Sequence, residues 1–113
     1  MAAIANLTVD QGTSFTSDVT VKDANGNAFD LTGYTAVAKM AKGFASTRTR
    51  TTITTTIAAD ATTGVVTLSL SSTVSAALDA ERYVYDLEIT QTSSGNVTRV
   101  IEGIITVRPQ VSI

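Results

Sequence analysis

The chain has 113 residues, a net charge of −2 and neither Cys nor His. At that length one core can bury about two-thirds of the unfolded surface, so a single domain over 1–113 is expected without staples. The missing Cys and His exclude disulfide frameworks, thiolate chemistry, the usual zinc sites and His-based acid–base catalysis, and a pI near 4.8 supplies no basic face for nucleic acid.

Apolar runs such as Val100 to Ile105 are broken by charge or Gly and fall far short of a membrane span. Met1 to Val9 has no basic region followed by a long apolar core, so the expectation is a soluble protein made in a cytoplasm, with no secretory signal. Thr, Ser, Val and Ile dominate and Pro occurs once, at Pro109, which favours many strands with helix confined to short connections.

Met1 to Leu7 is small and apolar and predicts a first edge strand ending at the turn Asp10-Gln11-Gly12. Ser14 to Lys22 alternates Phe15, Val19 and Val21 against Thr16, Asp18, Thr20 and Lys22, the pattern of a half-buried antiparallel strand. Asp23-Ala24-Asn25-Gly26-Asn27 then reads as a hairpin turn, with Phe29 and Leu31 pinning the return. Its oxygen-bearing side chains also resemble a calcium loop, but the glycine is misplaced and no terminal Glu follows, so the turn is the reading and no cofactor or metal is expected.

After a second corner at Asp30 to Tyr34, Thr35 to Lys42 predicts a strand with Ala36, Ala38 and Met40 inward. Gly43 to Thr52 predicts a long mobile loop that contains Arg48 and Arg50 and follows directly on Lys39 and Lys42, the four together forming the one basic cluster. These four residues read either as a basic finger for an acidic neighbour or polysaccharide, or as ordinary solvated charge. Ile53, Thr55 and Ile57 alternate, as do Val66, Leu68 and Leu70 after a turn over Ala59 to Gly64, which gives another hairpin. Ser72 is placed to cap one helical turn with Val74, Ala77 and Leu78 on a shared face.

Arg82 to Val107 reads as a long hairpin about which the rest gathers. Tyr83, Tyr85, Leu87 and Ile89 face the core opposite Ile101, Gly103, Ile105 and Val107, and a three-residue loop Ser93-Ser94-Gly95 pairs Leu87 with Ile101. Tyr85 then lies opposite Gly103, and its ring is expected to cover the space left there. On the outer face Asp86 meets Glu102, with Glu88 nearby, and Val84 meets Ile104, with Val100 two pairs away. The carboxylates read as a cation site, a glycosidase-like acid pair, a socket for a partner's Arg or Lys, or a plain acidic face in water. The apolar group reads as an interface or as a patch covered by the Gly43 to Thr52 loop. Pro109 stops the last strand, and the tail ends on an apolar Ile113. With no phosphate-cradling glycines and no base for a Ser nucleophile, an enzyme is not expected.

Seven or so strands with one short helical crossing near 72–79 predict an all-β, immunoglobulin-like two-sheet antiparallel β-sandwich. QGTSF at Gln11 to Phe15, VKDANGNAFDLTGY at Val21 to Tyr34, TGVVTLSLS at Thr63 to Ser71, and AALDAERYVYDLEI with VTRVIEGIITV in the hairpin span nearly the whole chain. In these segments it resembles short virion structural proteins of tailed bacteriophages, those of cyanobacterial and other aquatic hosts in particular. More loosely, it is similar to the amino-terminal immunoglobulin-like module of phage upper-baseplate proteins.

The resemblance implies a non-enzymatic module in a virion, made in a bacterial cytoplasm and present in many copies, docking to tail, baseplate or fibre. Capsid decoration and a carbohydrate- or host-surface-binding module are the alternatives. The expected partners are other virion proteins, with a homo-oligomer as one form of contact, and neither nucleic acid nor membrane. Lys39, Lys42, Arg48, Arg50, Val84, Asp86, Val100, Glu102, Ile104 and Ile113 are the candidate interface.

Overall fold

The computed structural model describes residues 3–45 and 47–112, so Ile113 lies outside the described residues. Among the described residues there are eight strands: β1 (Ala3–Ile4), β2 (Leu7–Asp10), β3 (Phe15–Thr20), β4 (Tyr34–Ala41), β5 (Thr51–Ile57), β6 (Val65–Leu70), β7 (Arg82–Gln91) and β8 (Val97–Arg108). A 3₁₀ turn over Ala61–Thr63 joins β5 to β6, and a short helix α1 (Ser72–Ala76) joins β6 to β7.

The strands follow the order β1-β8-β7-β4-β5-β6-β3, with β2 also on β8. The sheet folds over on itself at β5, because Thr51 to Ile53 pair with β4 whereas Thr54 to Ile57 pair with β6. Where β5 leaves β4, Thr55 Oγ1 donates to Ala36 O at 2.9 Å, which ties the two layers together at the corner. The predicted alternation fills the space between them, since Val19, Val66, Leu68 and Leu70 on one layer and Ala38, Met40, Leu87, Ile89 and Ile105 on the other are buried. Burying each large apolar side chain is worth roughly 1.5–3 kcal/mol.

One departure concerns strand direction. β1 and β2 run parallel to β8, with Ala3 beside Ile101 and Asp10 beside Arg108, so the sandwich is not wholly antiparallel. The path kinks at Ala5 and Asn6, where the Asn6 side-chain oxygen accepts from the Ile104 N–H at 3.0 Å in place of a backbone carbonyl. This kink also explains Gly103. A Cβ there would sit 2.2 Å from Ala5 O, so the N-terminal backbone occupies the space expected for the Tyr85 ring. Tyr85 does stand opposite Gly103, and its hydroxyl donates to that same Ala5 carbonyl at 2.6 Å.

The long hairpin forms with Leu87 opposite Ile101, but its loop is one residue longer than expected. Gln91 N–H donates to Asn96 O and Gly95 N–H to Gln91 O, which leaves Thr92 to Gly95 as a four-residue connection with Gly95 at φ +75°. A β-bulge absorbs the extra residue, because Leu87 pairs with Ile101 and Glu88 with Arg99, leaving Val100 unpaired.

The other connections follow side-chain chemistry. The Asp23 carboxylate accepts from Asn25 N and Asn27 N, Gly26 closes a three-residue loop at φ +81°, and the return is a single bridge, Lys22 to Ala28, rather than a strand. Asp30 is lowered in pKa by the Thr32 hydroxyl and then by the Thr32 backbone N–H. Ser71, not Ser72, caps α1 by accepting from Val74 N. Val74 is 37% exposed, whereas Ser75 is fully buried and donates to Thr13 O, anchoring the helix to the segment before β3.

Candidate functional site

The bulge at Val100 rearranges the predicted interface. An unbroken hairpin would aim Arg99 into the core and Val100 out, whereas the extra residue turns Val100 against the core and brings Arg99 onto the outer face beside Glu88. Val100 is therefore not part of the outer patch. Arg99 Nε lies 3.1 Å from Asp86 Oδ2 and its Nη1 lies 3.3 Å from Glu102 Oε2. The socket expected for a partner's cation is filled by the chain's own guanidinium. Arg99→Ala is expected to cost less than about 1 kcal/mol, the scale of exposed ion pairs, and less still in 1 M salt. Urea unfolding at two ionic strengths measures this.

The basic cluster separates into distinct roles. The Lys42 ammonium lies between Asp79 and Glu81, the latter at 2.9 Å, and these partners, Asp79 foremost, hold its pKa above the ordinary lysine value. It thus ties the end of β4 to the connection between α1 and β7. Arg50 turns back on its own loop, donating through Nη1 to Ala45 O at 2.9 Å and Arg48 O at 3.0 Å and through Nη2 to Phe44 O at 3.2 Å. The segment expected to be a long mobile loop is stapled, and β5 already begins at Thr51. Reversing the charge of Arg50 would disturb the loop itself, which leaves Arg48 and Lys39 as the basic residues suited to testing a contact.

The stapled loop leans over part of the outer face. Val37, Lys39, Phe44, Arg50, Val84 and Asp86 line a shallow groove of about 210 Å³ between loop and sheet, and a second groove of about 430 Å³ on the other side of the loop holds Lys42, Arg48, Asp79 and Tyr83. Predicted interface residues are thus divided between two grooves, and Ile104 stands apart, 40% exposed, across from Val84. Sequence reasoning missed Phe44, 71% exposed at the loop, and Val37, 48% exposed on β4. Phe44 was detectable as the lone aromatic among small residues in GFAST, and Val37 as the outward partner in the Ala36 to Met40 alternation.

No family model matches the chain, and no curated protein matches it. Solved structures of similar fold include the N-terminal domain of phage TP901-1 ORF48, with a TM-score of 0.56 at 11% identity over 92% of this chain and 85% of that one. The chain is a two-layer β-sandwich in which the sheet curls over at β5. The NK cell receptor Nkp44 aligns at a TM-score of 0.48 and 16% identity over 95% of this chain and 98% of that one. The Lin-41 filamin domain gives 0.44 and 18% over 89% and 82%. Among the described residues no helix is long and apolar enough to cross a membrane.

Proposed function

We propose that this chain is a non-enzymatic structural module of a tailed-phage virion, present in many copies and docked to the tail, baseplate or fibre assembly. The observation that carries this reading is the alignment with the N-terminal domain of a phage protein over most of both chains. The phage-like segments QGTSF, VKDANGNAFDLTGY and TGVVTLSLS add to it from the sequence. An outer face that mixes Val37, Val84 and Ile104 with Lys39, Asp86 and Arg99 suits packing against other polypeptides. A lasting contact buries on the order of 1,000 Å² in total, and repetition on a symmetric particle lets weaker contacts suffice through avidity.

Immunogold labelling of virions from the phage encoding this chain, with antibody to the full chain, tests the reading. Label over the tail or its tip is the expected result. Label over the head would replace tail docking with capsid decoration, and no label on any particle would overturn the virion role in favour of a free binding module.

A further inference from the structure

The sheet has two ends, β1 with β2 and β3, and because it curls over at β5 these ends come to face each other. Between them runs a groove of about 630 Å³, bordered by Ala5 and Leu7 on one side, Ser17 and Val19 on the other, and Val100 and Ile101. Its apolar border belongs to the same core cluster that fills the sandwich.

The backbone at its β3 border is unsatisfied in a regular way. Val21 N–H donates to Gly64 O, and the register Val19 to Val66 and Ser17 to Leu68 continues that phase. In an antiparallel ladder the residues that exchange hydrogen bonds alternate with those that do not. Phe15, Ser17 and Val19 therefore bond to β6, whereas the N–H and C=O groups of Thr16, Asp18 and Thr20 point away from it, to the groove side. Among the described residues β3 pairs with β6 alone.

Proteins ordinarily protect such an edge with Pro, a bulge, an inward charge or a covering loop. Over Phe15 to Thr20 the strand is regular, lacks Pro, and carries one charge, Asp18, whose carboxylate accepts from Thr67 Oγ1 at 2.6 Å on the outer surface. A regular row of outward amides beside an apolar slot is complementary to one kind of ligand, an extended polypeptide strand. Helices, glycans and small molecules do not offer donors and acceptors at that repeat.

We propose that this groove receives an extended strand of a neighbouring virion polypeptide, hydrogen-bonded to the β3 edge through Thr16, Asp18 and Thr20. Alternate apolar side chains of that strand drop against Val19, Leu7 and Val100. Its outward side chains are polar, matching the mixed charges of Asp18, Lys22 and Asp23 at the rim. The identity of the strand as a virion polypeptide rests on the proposed function, whereas strand addition rests on the edge itself.

The probe is a synthetic peptide copying Gly64–Ser71 with a lysine at each end, a sequence whose alternation already matches β3 on its bonded side. Residue-resolved amide exchange of the full chain is read with and without saturating peptide. Exchange at Thr16, Asp18 and Thr20 is expected to slow at least tenfold while Ser17 and Val19, already bonded to β6, stay unchanged. Thr20→Pro removes an outward N–H without touching the β6 ladder, so it should keep the fold and abolish the response. If that variant does not fold, Thr16→Pro carries the same test.

Unchanged exchange at the three amides, or protection confined to the outer face of β4, β7 and β8, overturns the proposal. The two readings fail separately. Particle label without an edge response rejects the strand site alone, and an edge response without particle label rejects the virion role alone.

Discussion

Replacing Tyr85 by Ala is expected to lower the unfolding free energy by about 3–5 kcal/mol, the scale of large-to-small changes in a packed core. The residue is 3% exposed, lies between Met40 on β4 and Gly103 on β8, and joins positions 80 apart in sequence through its bond to Ala5 O. Truncation removes the ring and leaves that carbonyl without its donor. Tyr85→Phe separates the two effects and should cost about 1 kcal/mol, the net worth of one hydrogen bond.

The same hydroxyl gives an alkaline signature. Burial pushes its pKa up to about 12 from the ordinary 10, so the unfolded chain loses the phenolic proton first as pH rises. Its contribution is complete below about pH 10 and declines as pH rises toward about 12. Tyr85→Phe should remove that part of the slope. Urea denaturation followed by circular dichroism between pH 7 and 11.5 measures all three quantities, and a loss under 1 kcal/mol for Tyr85→Ala at pH 7 would contradict the packing described.

The second large effect is expected at Gly103→Ala. The added methyl would stand 2.2 Å from Ala5 O, 2.9 Å from Ala5 C and 3.1 Å from Asn6 Oδ1, and two of those atoms are backbone. Relief requires β1 and the kink to move off β8, with a cost of about 1–3 kcal/mol, as for overpacking elsewhere. Amide exchange should accelerate at Ala5 and Ile104 and stay unchanged in β6. A double-mutant cycle sharpens the claim, because once Ala5 is displaced the Tyr85 hydroxyl has less to lose. Tyr85→Phe should therefore cost less in the Gly103→Ala background than alone. Strict additivity would mean that the two residues do not share the Ala5 carbonyl.

Much of this arrangement was legible because it is periodic. Alternation in Phe15 to Val21, in Val66 to Leu70 and across Tyr83 to Ile89 marks strands with one buried face, and the buried set follows it. The hairpin register was readable from matching two apolar faces, since a one-residue slip would turn every side chain over. The bulge was hidden by that very success. Its longer loop and its extra residue cancel between Ile101 and the turn, so the pairing of Leu87 survives while Arg99 and Val100 exchange faces. The sequence does carry a trace of this, because inward alternation read back from Ile101 lands on Arg99.

The parallel seating of β1 and β2 had no such trace. Two strands of two and four residues leave little periodicity, and their partner lies about a hundred positions away. Contacts that depend on long-range geometry were equally silent. The ion pairing of Lys42 with Asp79 and Glu81, the closure of the 43–50 loop by Arg50 and the space around Gly103 are set by how layers meet.

The parallel ladder has a mechanical meaning. A pull applied at Ala3 and Arg108 drags β1 and β2 one way and β8 the other, along the line of the strands. The bonds from Leu7 through Asp10 then share the load in shear, whereas a hairpin pulled from its open end would unzip rung by rung. A fold threaded in this way resists stretching along its own axis more strongly than its modest size implies.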